Sequence, residues 1–292
     1  MDGTFDVVPN MFLQLYSIHA PVDPPERSRT LPLVYTLMSS KSKECYDAFF
    51  GGLIEYAEAN DIDLSQNHII TVLELAPIIV PDSHFPEARN GACLFHLRQC
   101  VYRKLQSNKL VKDYGTNENF SIAIRQITSL AFLTATEIPP AWDELKEEIP
   151  EKAKPIVDWF DDNYVHGKVI RLLRGKPKRS APKFPPSLWS VHDRMEENLP
   201  RTQNKIEAWH RRLRSLVGHL HAGMYTLINE LKKEQKTEEG EIEYINRGEG
   251  RPKMKRADAV REERIRQIFQ EREQYDDVLD WIRGLAHNIK IG

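Results

Sequence analysis

Three short motifs hold the side chains that could do chemistry. Asp2 opens DGTF, Cys93 and His96 form a C-x-x-H pair, and Glu207 and His210 lie in LPRTQNKIEAWH. Glu207 and His210 are three residues apart, so a helix places both on one face. Hard divalent cations prefer carboxylate oxygens, and imidazole and thiolate are ligands of softer metals. These residue types therefore raise the question of a metal site.

Each motif alone also has an ordinary structural explanation. A carboxylate where a strand starts is usually an exposed side chain, and Glu207 could be a solvated residue of a capped amphipathic helix. The C-x-x-H pair has no second pair of ligands, which argues against a zinc site. Only the combination of the motifs can distinguish a functional site from these ordinary structural roles.

Strand-like segments dominate the first hundred residues. Short runs of β-branched and aromatic residues, joined by polar turns, predict an antiparallel meander of three strands. A continuous apolar run follows, typical of a strand buried on both faces. The predicted strands are 5–8, 12–20, 31–38, 68–75 and 92–95, with helices at 43–59 and 96–109. This order predicts an α/β fold in which three antiparallel strands precede parallel βα units.

The rest of the chain reads mainly as helix. Helical spacing covers 119–163, 201–213 and 224–236, interrupted by a proline-rich basic linker at 167–186. Residues 236–257 are polar with scattered glycines, a composition that predicts disorder or loose packing. A charged amphipathic helix at 260–285 carries Leu279, Trp281 and Ile282, and we expect it to pack back on the domain because these side chains need cover.

Positive charge is concentrated although the net charge is only −2. No acidic residue interrupts the stretch 167–192, and the helix around Glu207 adds further cations. Such runs are often solvated faces, and the alternative is a surface that contacts phosphates. The candidate DNA-contacting residues are Lys168, Arg171, Arg174, Lys176, Lys178, Arg179, Arg211 and Arg212.

The sequence argues against a membrane-spanning protein, a secreted protein and a disulfide-stabilised protein. Hydrophobic residues make up 40% of the chain, and no run approaches the ~18 apolar residues of a membrane span. The first residues do not resemble a secretory signal. Three cysteines argue against a disulfide framework and favour a reducing compartment.

Taken in order, DGTF, the strand ending in LELA, C-x-x-H, IPPAWDEL and R-T-x-N-x-x-E-x-W-H resemble the MULE (Mutator-like element) transposase domain. The resemblance runs from residue 1 to about residue 235 and is strongest to animal versions often found behind FLYWCH zinc fingers. It implies an RNase H-like mixed five-stranded sheet with an all-helical insertion and a helical C-terminal extension. The implied divisions are 1–118 and 187–235 for the core, 119–186 for the insertion and basic linker, and 236–292 for a charged, partly disordered tail.

The resemblance also implies a DDE site for DNA cleavage, strand transfer and recombination. In such a site two Asp and one Glu hold two Mg²⁺ ions roughly 4 Å apart. The first Asp matches Asp2 and the Glu matches Glu207, while Cys93, His96 and His210 are expected near the site. The second Asp should stand at position 72, which is Val72 in this sequence.

Valine cannot ligate a metal, so Val72 predicts an impaired site. Glu74 would share a face with position 72 in a strand. It nevertheless matches a companion acid of the family, and two residues displace a group by about 6.6 Å. Glu74 is therefore a poor substitute. Asp2 directly follows Met1, which leads us to expect a short, frayed first strand, a poorly held Asp2, and a truncated or decayed copy or partial gene model.

Three functions remain open at this stage. The first is a transposase-derived DNA-binding domain with impaired catalysis. The second is an active Mg²⁺-dependent transposase, and the third is a domesticated protein-interaction or scaffold domain. The expected partner is DNA in the nucleus, with no membrane and no small-molecule substrate. A homo-oligomer is left open, as is whether the chain is an enzyme.

Overall fold

The computed structural model describes residues 1–22, 29–173, 176–202, 204–248 and 256–291. It divides into two compact units, each built from two stretches of sequence. The first unit comprises 1–90 and 203–253, and the second comprises 91–202 and 254–292. Within the described residues, no helix is both long and apolar enough to span a membrane.

The first unit begins with the predicted antiparallel meander. Its strands are β1 (Asp2–Thr4), β2 (Gln14–Val22) and β3 (Arg29–Met38), with Asp2 opposite Ser17. The first strand is displaced from its predicted position, because residues 5–8 form a turn. Val7 and Val8 lie in the apolar core of this unit, so their hydrophobicity is satisfied by packing and not by strand pairing.

The βα part of the first unit follows as α1 (Lys43–Ala59), β4 (His68–Thr71) and α2 (Leu75–His84), and the chain enters the second unit within β5 (Arg89–Ala92). The predicted strand 68–75 ends early, at Thr71. A turn follows in which the N–H of Glu74 bonds to the carbonyl of Val72 at 2.9 Å. Pro77 is tolerated just inside α2 because the first-turn N–H groups have no helical acceptor.

Strand pairing among the described residues is less extensive than the predicted five-stranded sheet. The meander has the order β1-β2-β3, and β4 and β5 form a separate two-stranded sheet. The nitrogen of Met1 donates a hydrogen bond to the carbonyl of Ile70 at 2.8 Å. β1 and β4 have only three and four residues, which leaves little length for a regular ladder between them.

Two helices complete the first unit, α10 (Asn204–Val217) and α11 (Met224–Asn246). α10 buries Ile206, Trp209, Leu213 and Val217, a helical spacing that turns one face to the core. The predicted disorder from residue 236 is wrong up to 246, where α11 continues as regular helix. Its acidic side chains are neutralised within the unit by arginines distant in sequence: Arg212 bonds to Glu234 and Glu238, and Arg29 to Glu241.

The second unit is mainly helical, as predicted for 119–163. Three tryptophans, Trp142, Trp189 and Trp281, are almost completely buried in it. Its helices are α3 (Leu94–Ser107), α4 (Val111–Thr116), α5 (Glu118–Ser129), α6 (Ile138–Glu148), α7 (Lys154–Phe160), α8 (Pro186–Trp189), α9 (His192–Glu196), α12 (Arg256–Gln270) and α13 (Val278–Asn288).

The second unit departs from the sequence prediction in two places. The predicted basic linker contains a hairpin of β6 (Val169–Leu173) and β7 (Lys176–Arg179). The predicted C-terminal helix is divided into α12 and α13, joined by a short turn of 3-10 helix. Its predicted packing is confirmed, because Trp281 is fully buried and α13 packs against α5 of the same unit.

Candidate functional site

Asp2 is a buried carboxylate on the short strand β1. Its side chain is 7% exposed, and the N–H of Gly3 donates to Oδ1 at 2.7 Å. Pairing with β2 puts Asp2 directly opposite Ser17. β1 is short, as predicted, but the expectation of a poorly held Asp2 is wrong because the meander and the core cover it.

Glu207 and His210 approach Asp2 from α10. One ligand atom from each of the three side chains lies within 4.8 Å of the others. His210 is 6% exposed, and its Nδ1 lies 3.7 Å from Oδ2 of Asp2. Their spacing of three residues points both side chains of α10 at the strand. We call Asp2, Glu207 and His210 the acidic cluster.

The electrostatics of the acidic cluster favour a bound positive charge. The pKa of Asp2 is raised from 3.8 to about 7, chiefly by burial and then by the adjacent Glu207 carboxylate. Two carboxylates so close together repel one another when both are ionised. A cation or a proton between them relieves this repulsion, so any bound cation must compete with the proton on Asp2.

A second pair of polar residues borders the cluster from β2. Ser17 Oγ lies 2.9 Å from Nε2 of His19, and the His19 ring centroid lies 6.5 Å from that of His210. Burial lowers the pKa of His19 to about 3, which keeps its imidazole neutral. Sequence reasoning missed both residues. The signal for them is period-two alternation, since Ser17 and His19 share the strand face once Ser17 is paired with Asp2.

Trp209 fixes the orientation of α10 beside the cluster. Its indole N–H donates to Oε2 of Glu234 at 3.0 Å, and its ring stacks on Tyr35 with centroids 5.6 Å apart. Arg212 completes this arrangement by bonding to Glu234 and, at 2.9 Å, to Glu238. The helix that carries Glu207 and His210 is therefore held by a buried polar network as well as by its apolar face.

Position 72 supplies no ligand. Val72 is 7% exposed and follows directly after β4. Glu74 lies at the N-cap of α2, where its Oε1 accepts a hydrogen bond from Nζ of Lys41 at 2.6 Å. Among the described residues, Glu74 does not join the acidic cluster, whose members are Asp2, Glu207 and His210. An ion pair thus holds the carboxylate that lies nearest in sequence to position 72.

Cys93 and His96 belong to the second unit. Cys93 is buried at the N-cap of α3, and His96 lies in the first turn of that helix. Burial lowers the pKa of His96 to about 4, so its imidazole is neutral at physiological pH. Their predicted closeness to the acidic cluster stays a prediction.

The predicted DNA-contacting residues fall into two groups. Lys168, Arg171 and Lys178 are exposed in or beside the β6–β7 hairpin, and Arg211 is exposed on α10. Two others already have acidic partners: Arg179 bonds to Asp161 at 2.7 Å, and Arg212 to Glu234 and Glu238. Arg174 and the side chain of Lys176 lie outside the described residues. The exposed cations are the better candidates for phosphate contact.

The comparison with known families bears directly on this site. Residues 1–100 match the family model of the MULE transposase domain, which confirms the resemblance for this part of the chain. No curated protein and no solved structure matches the sequence. The matched residues include Asp2 and Val72, whereas Glu207 and His210 lie beyond them. Similarity to a transposase domain implies a transposase-derived function, use of a divalent metal and interaction with DNA.

Proposed function

We propose that this chain is a transposase-derived DNA-binding domain of the DDE class whose catalysis is impaired at position 72. The observation that carries the proposal is the composition of the acidic cluster. It unites two carboxylates from distant parts of the sequence, Asp2 and Glu207, but its third member is the imidazole of His210. The uncharged Val72 stands where the family resemblance implies the second Asp.

The hydrogen bond between Met1 and Ile70 supports the proposed location of Val72. In a parallel ladder, an N–H bonds to the residue before its lateral neighbour, so this bond would set Met1 beside Thr71 and Asp2 beside Val72. Lateral neighbours point to the same face of a sheet and lie about 4.8 Å apart. We therefore propose the RNase H-like strand order β3-β2-β1-β4-β5, in which Val72 adjoins the cluster.

The donor set fits one divalent cation and does not fit a pair of Mg²⁺ ions. Asp2, Glu207 and His210 could hold one ion together, and a two-metal site supplies charge stabilisation to both the attacking and the leaving oxygens. Two carboxylates offer too few oxygens and too little charge for two hard cations. The imidazole of His210 suits a softer divalent cation such as Zn²⁺ better than Mg²⁺. The cluster would bind such an ion weakly and would not support efficient cleavage.

An active transposase is the alternative that the site supports less well. Activity would require another carboxylate to replace the missing one, and Glu74 is the nearest candidate in sequence. Its ion pair with Lys41 would have to break, and its side chain would have to reach a cluster it does not now join. Precise placement of ligands is required for metal catalysis, so this rearrangement is disfavoured.

DNA binding is expected to be electrostatic and independent of sequence. Exposed cations on each unit, Lys168, Arg171 and Lys178 on one and Arg211 on the other, would contact phosphates. We infer a nuclear site of action from DNA as the expected partner. Raising the salt concentration from 50 to 200 mM is expected to weaken binding to a 30-base-pair duplex by at least about tenfold. Fluorescence anisotropy with two unrelated duplexes measures this, and an affinity that salt leaves unchanged would refute the proposal.

A further inference from the structure

The β6–β7 hairpin exposes apolar side chains that the second unit does not cover. All five residues of β6 are exposed, on both faces of the strand. Leu172 and Ile170 are the most accessible, at 72% and 63%, and Val169 and Leu173 are half exposed. Exposing four apolar residues within one five-residue strand is costly in water, so such a patch marks an interaction surface.

The base of the hairpin is fixed within the second unit. Arg179 donates to the carbonyl of Gly167 and to Asp161, both at 2.7 Å. Asp161 also accepts a hydrogen bond from the indole N–H of Trp142 at 3.0 Å, and His166 Nδ1 lies 2.5 Å from it. Trp142 is fully buried in the core. The base of the hairpin is therefore anchored to the core of the second unit.

The charge of the hairpin identifies the kind of partner. Lys168, Arg171 and Lys178 are exposed, and within the described residues none of them has an acidic partner. No acidic residue occurs between positions 167 and 192. A second copy of the same hairpin would meet like charge, and Pro177 removes a backbone donor from β7. These features favour a polyanion over a copy of this chain.

We propose that the hairpin inserts Ile170 and Leu172 into a groove of duplex DNA and unstacks a base-pair step. The flanking cations would contact the phosphates on either side. Apolar wedges bordered by Arg and Lys are a known way to kink a duplex, and unstacking costs a few kcal/mol per step that the extra contacts offset. The inference rests on the proposed DNA binding and specifies how one surface engages the duplex.

The test separates insertion from binding by using two sets of substitutions in the full chain. One variant combines Ile170→Ser and Leu172→Ser, which removes the wedge and keeps the charge. The other combines Lys168→Gln, Arg171→Gln and Lys178→Gln, and Val260→Ser serves as a control at an exposed apolar residue of α12. Thermal unfolding checks that each variant folds. Affinity is measured by anisotropy, and unstacking by the fluorescence of 2-aminopurine placed along the duplex.

The wild-type chain and Val260→Ser are expected to raise 2-aminopurine fluorescence at interior probe positions throughout the duplex, because the proposed binding is independent of sequence. The serine pair should abolish this rise while binding within about fivefold of wild type, and the glutamine triple should reduce the salt slope by about 2.7, or 0.9 for each phosphate contact. Wild-type binding without unstacking, or unstacking by the serine pair, would overturn the insertion but leave the proposed function intact. Failure of the wild type to bind DNA would overturn both. Equal or tighter binding to phosphatidylserine vesicles, lost only in the serine pair, would assign the hairpin to a membrane surface instead.

Discussion

Replacing Arg212 with alanine is expected to lower the free energy of unfolding by about 3 kcal/mol. Removing one partner from a buried ion pair leaves an uncompensated charge and costs roughly 3–5 kcal/mol. Glu234 is only 4% exposed and would lose this partner, as would Glu238, whose pKa is already raised by burial. Arg212 itself is 46% exposed, which places the expected loss at the lower end. Urea unfolding measures the change.

The adjacent residue provides a matched control for Arg212. Arg211 is exposed on the same helix. Arg211→Ala should change stability by no more than about 0.5 kcal/mol, the usual range for a surface substitution. Equal effects at the two positions would contradict the role assigned to the network in holding α10. A loss of DNA affinity in Arg211→Ala, without a loss of stability, would show that Arg211 contributes to DNA binding and not to holding the fold.

Replacing Val72 with aspartate is expected to strengthen Mn²⁺ binding by at least about tenfold, equivalent to about 1.4 kcal/mol. If position 72 adjoins the acidic cluster, the substitution adds the carboxylate that a hard or borderline cation requires. Without metal, the same change should destabilise the chain by roughly 3 kcal/mol, because it buries another negative charge beside Asp2 and Glu207. Added metal should then raise the melting temperature of the variant more than that of the wild type.

Val72→Asn is the control for this experiment, since asparagine has nearly the size of aspartate but no charge. It should leave Mn²⁺ affinity within a few fold of wild type. Calorimetric titration measures the affinities, and a cooperative thermal transition shows that each variant is folded. A folded Val72→Asp variant with no gain in affinity would place position 72 away from Asp2 and contradict the proposed strand order.

The sequence predicted the parts of the site that depend on local spacing. The interval of three residues put Glu207 and His210 on one helix face, and the family resemblance related them to Asp2. Ser17 and His19 were missed because their place beside Asp2 depends on the register of β1 on β2. The chain between β1 and β2 contains Val7 and Val8, which had been assigned to a strand and instead pack in the core.

The errors in the predicted fold share one physical cause, which is contact between residues that are distant in sequence. Residues 236–246 look like a solvated tail because they are polar and include a glycine, whereas the arginines that hold Glu238 and Glu241 come from α10 and β3. The hairpin at 169–179 was read as a linker because proline and charge outweighed the β-branched run. In the structure its base is held by Asp161, which binds Arg179.

Metal-dependent cleavage tests the central claim most directly. Supercoiled plasmid and a labelled duplex are incubated with the wild-type chain and with Glu207→Gln, in Mg²⁺ and separately in Mn²⁺. The acidic cluster lacks a third carboxylate, so the account predicts that the wild type cleaves no faster than Glu207→Gln with either metal. Cleavage by the wild type that disappears in Glu207→Gln would contradict the account and identify the chain as an active nuclease despite Val72.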